Sequence, residues 1–93
     1  MVWALRYSEK AVKQLKKLDK SQSKLVVRWM TTNIDGCEDP RAHGRALVDN
    51  LAGPWRYRVG KYRVLCELRD DDLVVLAIEV GHRSSVYQKN SRD

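Results

Sequence analysis

The sequence predicts an α+β fold in the order β-α-α-β-β-β, with two N-terminal helices packed on one face of an antiparallel sheet. Two changes of pattern support this prediction. Apolar residues recur at helical spacing in the first third of the chain, and they alternate with polar ones from Trp55 onward. Because 93 residues provide material for a single hydrophobic core, we expect one domain covering residues 1–93.

The N-terminal third predicts one strand followed by two helices. The segment Val2–Tyr7 is rich enough in aromatic and β-branched residues for a strand, and Ser8 can cap a helix that begins at Glu9. A second helix is expected from about Gln22 to Ile34. The apolar residues expected to face the core are Ala11, Val12, Leu15 and Leu18 in the first helix and Leu25, Val26, Trp29 and Met30 in the second.

The segment Asp35–Gly53 reads as a long connection, because it contains Pro40 and three of the five glycines. A short strand is expected within it at Ala46–Val48. An exposed connection of this length can contact a partner, but Cys37 and His43 within it are interpreted as ordinary loop residues.

From Trp55 the chain predicts a β-hairpin with two distinct faces. A two-residue turn at Gly60-Lys61 places Arg58 opposite Arg63 and Arg56 opposite Leu65. The three arginines then share one face, and the apolar residues of both strands form the other, which packs on the helices. Two like charges directly opposite each other destabilise a strand pair by roughly 0.2–1 kcal/mol, so their presence suggests an anionic ligand.

The basic residues change in kind along the chain. The first 24 residues contain six lysines and one arginine, whereas residues 55–93 contain six arginines and two lysines. Guanidinium groups bind phosphate oxygens in pairs, whereas an ammonium acts as a point charge. We therefore interpret the hairpin as a phosphate-binding surface, with Lys61 at its turn as a further contact. The competing interpretation is a solubilising face on which carboxylates such as Glu67 pair with the arginines.

A last strand over Leu73–Val80 is expected to run antiparallel to its neighbour and to bring His82 and Arg83 close to Arg63. If a short helical turn follows, Arg83 and Tyr87 lie four residues apart and project from one side. His82 and Tyr87 are then expected to converge on Arg58 and Arg63, which makes both of them candidate site residues.

Composition narrows the possible partners and settings. A net charge of +6 attracts polyanions, among which nucleic acid, acidic protein and anionic membrane stay open at this point. No apolar run approaches the roughly 20 residues that span a bilayer, so we expect a cytoplasmic protein without a membrane partner. Two isolated cysteines and two histidines form no metal-binding motif, so no metal or cofactor is expected.

Two blocks of this sequence resemble the RelE/ParE superfamily of bacterial toxin–antitoxin toxins. They are Trp55-Arg56-Tyr57-Arg58-Val59-Gly60-Lys61-Tyr62-Arg63-Val64 and Val80-Gly81-His82-Arg83-Ser84-Ser85-Val86-Tyr87, and weaker similarity extends over nearly the whole chain. The resemblance implies a RelE-like, microbial RNase-like fold. It also implies a toxin of the RelE branch that cleaves mRNA on the ribosome and is neutralised by a cognate acidic antitoxin.

The resemblance also implies roles for individual residues. Arg63, Arg83 and Tyr87 match the catalytic arginines and tyrosine of the family, whereas Arg56 and Arg58 stand where well-known members carry lysines. The implied reaction is a metal-independent attack of a ribose 2′-hydroxyl on the adjacent phosphate. In that reaction His82 is the candidate proton acceptor, because arginine stays protonated and histidine ordinarily has a pKa near neutrality. The predicted site is then catalytic at Arg63, Arg83, Tyr87 and His82, and RNA-binding at Arg56, Arg58 and Lys61.

Two other functions stay open at the level of sequence. Members of the ParE branch inhibit DNA gyrase, and a non-catalytic RNA-binding module would use the same basic face without cleaving its ligand. The intact Arg63, Arg83 and Tyr87 favour the endoribonuclease.

Overall fold

The computed structural model describes residues 1–48 and 53–82, and it has the predicted α+β architecture. Its elements are β1 (Ala4–Tyr7), α1 (Glu9–Lys17), α2 (Lys20–Asn33), a 3-10 turn (Pro40–Ala42), β2 (Arg45–Ala46), β3 (Trp55–Val59), β4 (Tyr62–Arg69) and β5 (Val74–His82). The predicted C-terminal helical turn, with Arg83 and Tyr87, lies outside the described residues. Of the helices in this part of the chain, neither has the length and apolar character needed to cross a membrane.

The first helix begins where the sequence predicts. The Ser8 hydroxyl accepts a hydrogen bond from the Ala11 amide at 3.1 Å, which satisfies one free donor of the first turn, and Glu9 lies at the positive end of the helix dipole. The same hydroxyl donates to the main-chain oxygen of Ile78 at 2.8 Å. Ser8 therefore caps α1 and also ties its start to β5.

The sheet is mixed rather than wholly antiparallel. Its order is β1-β5-β4-β3-β2, and β2 through β5 pair antiparallel as expected, but β1 lies parallel to β5. The alternation within Ala4–Tyr7 indicates a strand and carries no information about its partner 70 residues away, which is why the sequence did not reveal this edge. The helices cover one face, with α1 packed against β5 and α2 packed against β3.

The hairpin has the predicted register. Arg58 lies opposite Arg63 and Arg56 lies opposite Leu65, as a turn at Gly60-Lys61 requires. Gly60 has φ +59° and Lys61 has a negative φ, the pattern of a type II′ turn, whose twist suits an antiparallel pair. The register therefore places the arginine side chains of β3 and β4 on one face.

Most of the predicted apolar positions form the core, which lies between the helices and the sheet. Tyr57, Val64, Cys66, Val75 and Ala77 are fully buried beneath the helices. Two assignments were wrong, because Val12 and Leu25 are exposed. Each lies at the edge of the apolar stripe of its helix, where helical spacing alone cannot fix how far the stripe extends.

Candidate functional site

A cleft of about 420 Å³ opens at the β2 edge of the sheet. β2 pairs only with Trp55 and Arg56, the first two residues of β3. The remaining edge of β3 is not covered by β2, and the cleft lies beside this edge. The lining residues are Trp29 from α2, His43 and Gly44 from the connection, and Arg45, Arg56, Arg58 and Arg63 from the sheet.

Strand pairing brings four arginines into this cleft. Arg45 of β2 lies opposite Arg56 of β3, and Arg58 of β3 lies opposite Arg63 of β4. Within residues 1–48 and 53–82, no carboxylate lies within salt-bridge distance of Arg45, Arg56 or Arg58. Arg63 is nearly buried, with only 6% of the residue exposed to solvent. Like charges in direct opposition are unfavourable, so the folded chain maintains a concentration of positive charge here.

The connection beside the cleft is fixed by a series of specific contacts. The buried Tyr57 hydroxyl donates to the main-chain oxygen of Pro40 at 2.7 Å. Arg41 binds both carboxylate oxygens of Asp70 at 2.9 Å, and its guanidinium lies 5.9 Å from the centre of the Trp55 ring. The hydrogen bond from Arg41 lowers the pKa of Asp70 below its ordinary value. These contacts hold the 3-10 turn against the sheet.

Gly44 allows the connection to approach β3 closely. It has φ +75°, a conformation that glycine adopts without strain, and a Cβ atom there would clash with the main-chain oxygen of Arg56. The same Cβ would lie 2.8 Å from Nε1 of Trp55, the atom that donates a 2.7 Å hydrogen bond to the main-chain oxygen of His43. The contact therefore requires glycine, and it places His43 and Arg45 at the cleft.

The sequence did not predict the side of the cleft that α2, the connection and β2 contribute, which consists of Trp29, His43, Gly44 and Arg45. The rings of His43 and Trp29 meet edge to face with centroids 5.7 Å apart, and Trp29 also packs on Tyr57 at 5.8 Å. Trp29 was assigned to the core and His43 to an ordinary loop. The local signal for His43 was its neighbour Gly44, because a glycine in a connection can mark a close backbone approach.

The predicted site residues that lie within the described part of the chain fall into three groups. Arg56, Arg58 and Arg63, which were predicted to share one face of the hairpin, all line the cleft. Lys61 lies exposed at the hairpin turn and does not line it. His82 differs from the expectation, because it lies opposite Tyr62, whereas Gly81 lies opposite Arg63. The His82 ring packs edge to face on Tyr62 at 5.9 Å. Since successive side chains of a strand alternate, His82 projects to the other face of the sheet from Arg63.

The cleft has the chemistry of a site for a polyanion. Its guanidinium groups can each donate several hydrogen bonds to phosphate oxygens, and the Trp29 ring can stack on a nucleobase. Among the described residues, no three or more histidine, cysteine, aspartate or glutamate side chains are grouped so that they could hold a metal ion.

The chain is similar in sequence and in structure to known toxins of toxin–antitoxin systems. The curated toxin RelG of Mycobacterium tuberculosis is 28% identical over 89 residues, which cover 96% of this chain and 100% of the relative. The toxin–antitoxin complex RelBE2 from the same organism contains a chain that is 29% identical with a TM-score of 0.77, and the match covers 90% of this chain and 95% of that one.

The isolated RelE toxin of E. coli shares the fold, with a TM-score of 0.66 at 23% identity over 98% of this chain and 97% of that one. Residues 5–87 match the family described as the ParE toxin of type II toxin–antitoxin systems. The match spans every helix and strand from β1 residue Leu5 to the end of β5. The chain is therefore a RelE-like member of the ParE/RelE family of type II toxin–antitoxin toxins.

Proposed function

We propose that this toxin is an endoribonuclease that cleaves mRNA on the ribosome by attack of a ribose 2′-hydroxyl on the adjacent phosphate. The observation that carries the proposal is the cleft in which Arg56, Arg58 and Arg63 converge beside Trp29. A solubilising surface would not require arginines to face each other across strand pairs, and a metal-free reaction needs fixed cations of this kind.

The arginines act on the charge that develops during the reaction. In the transition state, negative charge increases on the non-bridging oxygens of the phosphate, where preorganised guanidinium groups bind it most strongly. Arg63 is suited to this role because only 6% of the residue is exposed, and electrostatic interactions are stronger where water is excluded. Arg56 and Arg58 are more exposed and bind the flanking phosphates.

The reaction conserves all atoms of the RNA. The 2′-oxygen forms a bond to phosphorus while the bond from phosphorus to the 5′-oxygen breaks, which gives a 2′,3′-cyclic phosphate and a free 5′-hydroxyl. The proton of the 2′-hydroxyl passes to a base, and the departing 5′-oxygen gains a proton. We propose Arg83 at the departing oxygen and Tyr87 as a substrate-orienting residue, in keeping with the sequence. We assign no proton transfer to His82, because Gly81 rather than His82 lies opposite Arg63, so the His82 side chain projects to the other face of the sheet.

The ribosome supplies the mRNA in this proposal, and an acidic antitoxin neutralises the toxin. A net charge of +6 on a small domain favours association with ribosomal RNA and with an acidic protein. The antitoxin is further supported by the structural relatives, which include toxin–antitoxin complexes of the RelBE type.

Inhibition of DNA gyrase is the second candidate function, because the matching family is named for the ParE toxins. The same cleft would then bind the DNA backbone without cleaving it. A gyrase inhibitor should block supercoiling in the absence of RNA, whereas a ribosome-dependent nuclease should not.

The test adds purified protein to 70S ribosomes programmed with a defined mRNA and maps new 5′ ends by primer extension. The wild-type protein should produce ends with a free 5′-hydroxyl. Arg63→Gln should lower the single-turnover rate about 100-fold, the usual effect of removing one transition-state donor. Arg58→Gln removes a contact to a flanking phosphate and should lower the rate less.

Arg6→Gln is the matched control, because Arg6 is exposed on β1, at the sheet edge opposite β2, and its loss changes the net charge equally. It should cleave at the wild-type rate. If the wild-type protein produces no new ends and inhibits supercoiling, the nuclease proposal is wrong and the gyrase function replaces it. An equal loss in all three variants would show that net charge, rather than the cleft, determines activity.

A further inference from the structure

The side chain of His43 lies in the cleft, although the sequence pattern indicates an ordinary loop residue at this position. His43 lines the cleft together with the four arginines, and its ring packs edge to face on Trp29 with centroids 5.7 Å apart. Its main-chain oxygen accepts the 2.7 Å hydrogen bond from Nε1 of Trp55. The residue is exposed, so its imidazole is accessible to a ligand in the cleft.

The surrounding contacts fix the position of His43. On its N-terminal side, Tyr57 binds Pro40 and Asp70 binds Arg41, and on its C-terminal side Gly44 is packed closely against β3. A loop residue in general can move away from a neighbouring site. Here the main chain is held on both sides of the residue, which is the preorganisation that a proton-transfer group needs.

The composition of the cleft gives His43 a distinct chemical role. Arg45 from β2, Arg56 and Arg58 from β3 and Arg63 from β4 are the charged groups that share the cleft with it, and α2 contributes the uncharged Trp29. No carboxylate is among these lining residues. Arginine stays protonated in proteins and cannot accept a proton, whereas a neutral imidazole can.

We propose that His43 accepts the proton of the 2′-hydroxyl during RNA cleavage, and that Trp29 is a positioning residue that orients the imidazole. The inference rests on the proposed endoribonuclease function and deepens it. As the bond from the 2′-oxygen to phosphorus forms, the proton moves from that oxygen to a ring nitrogen of His43. The arginines stabilise the phosphate charge at the same time, and the imidazolium later returns its proton to solvent.

The experiment measures single-turnover mRNA cleavage on programmed ribosomes between pH 5.5 and pH 8.5. The wild-type rate should rise with pH across this range, because only a neutral imidazole can accept a proton. His43→Gln and His43→Phe should each lower the cleavage rate at pH 8.5 by about 100-fold or more and abolish the dependence of the rate on pH. His43→Phe retains an aromatic ring against Trp29, so it separates proton transfer from ring packing.

Two further measurements make the roles specific. Added imidazole should partly restore cleavage by His43→Ala and should not affect Arg63→Gln. Trp29→Ala should lower the rate but keep the pH dependence, and Trp29→Phe should recover most of the loss. Thermal unfolding of each variant confirms that it is folded, and Arg6→Gln again serves as the control for the assay.

The outcomes separate the two proposals. Cleavage by His43→Gln or His43→Phe with the wild-type rate and pH dependence overturns the assignment to His43 and leaves the nuclease function intact. Loss of the pH dependence in His82→Gln, with His43→Gln unaffected, moves the proton transfer to His82. Absence of cleavage by the wild-type protein overturns the proposed function and this assignment together. A wild-type rate for Trp29→Ala refutes the positioning role.

Discussion

Alanine substitutions at Gly44 and Gly36 should separate backbone strain from steric exclusion, because the two glycines share a conformation and differ in their surroundings. Gly44 has φ +75° and Gly36 has φ +79°, so alanine at either position adopts the left-handed region. That strain costs about 1–2 kcal/mol. A Cβ at Gly36 would have no neighbour within 4 Å, whereas at Gly44 it would clash with the main chain of Arg56.

Gly36→Ala should therefore lower the free energy of unfolding by about 1–2 kcal/mol. Gly44→Ala should lower it by a further 1–3 kcal/mol or so, the usual range for overpacking where the neighbours must shift. Urea unfolding followed by tryptophan fluorescence measures both values, and the slope of the unfolding free energy against urea should be the same for both variants.

The cleavage rate adds a second comparison. A shifted connection moves His43 and Arg45 away from the arginines of β3, so Gly44→Ala should cleave more slowly per folded molecule than Gly36→Ala does. Equal unfolding free energies for the two variants would refute the argument that close contact with β3 requires glycine. A Gly44→Ala protein that is destabilised as expected but cleaves normally would show that the position of the connection does not matter for activity.

Three further predictions concern single side chains. Tyr57→Phe removes the buried hydrogen bond to Pro40 and should lower the free energy of unfolding by about 1–3 kcal/mol in urea titrations; no change would mean that water satisfies the Pro40 oxygen. Arg58→Gln relieves its opposition to Arg63 and should raise stability by roughly 0.2–1 kcal/mol, more at low salt, while reducing cleavage, and lower stability would contradict the repulsion. Burial raises the pKa of Tyr7 from 10.0 to about 12. The folded state then keeps a proton that the unfolded chain has lost, so stability should fall as pH rises from about 10 to about 12, and less steeply in Tyr7→Phe.

The hairpin was predictable because its pattern is local. Alternation from Trp55 and the Gly60-Lys61 turn determine which residues face each other, and the opposition of Arg58 and Arg63 follows by counting along the strands. Ser8 was equally predictable as a helix cap, because the capping bond joins residues three apart.

The rest of the site depends on long-range packing. His43 enters the cleft because Trp55 binds its main chain and Gly44 fits against β3, and neither contact leaves a periodic signal in the sequence. His82 shows a different limitation. Antiparallel pairing correctly predicts that the end of β5 returns to Arg63, but a shift of one residue decides the face, and Gly81 occupies the position opposite Arg63.

The parallel pairing of β1 with β5 has a consequence for the synthesis of this protein. Residues 4–7 leave the ribosome well before their strand partner, residues 74–77, has been made. The helices and the β3–β4 hairpin can form from local contacts, whereas the sheet cannot close over the core until β5 is inserted between β1 and β4. This topology delays completion of the sheet until β5 has been made, so residues 4–7 stay without a strand partner while α1, α2 and the β3–β4 hairpin are synthesised.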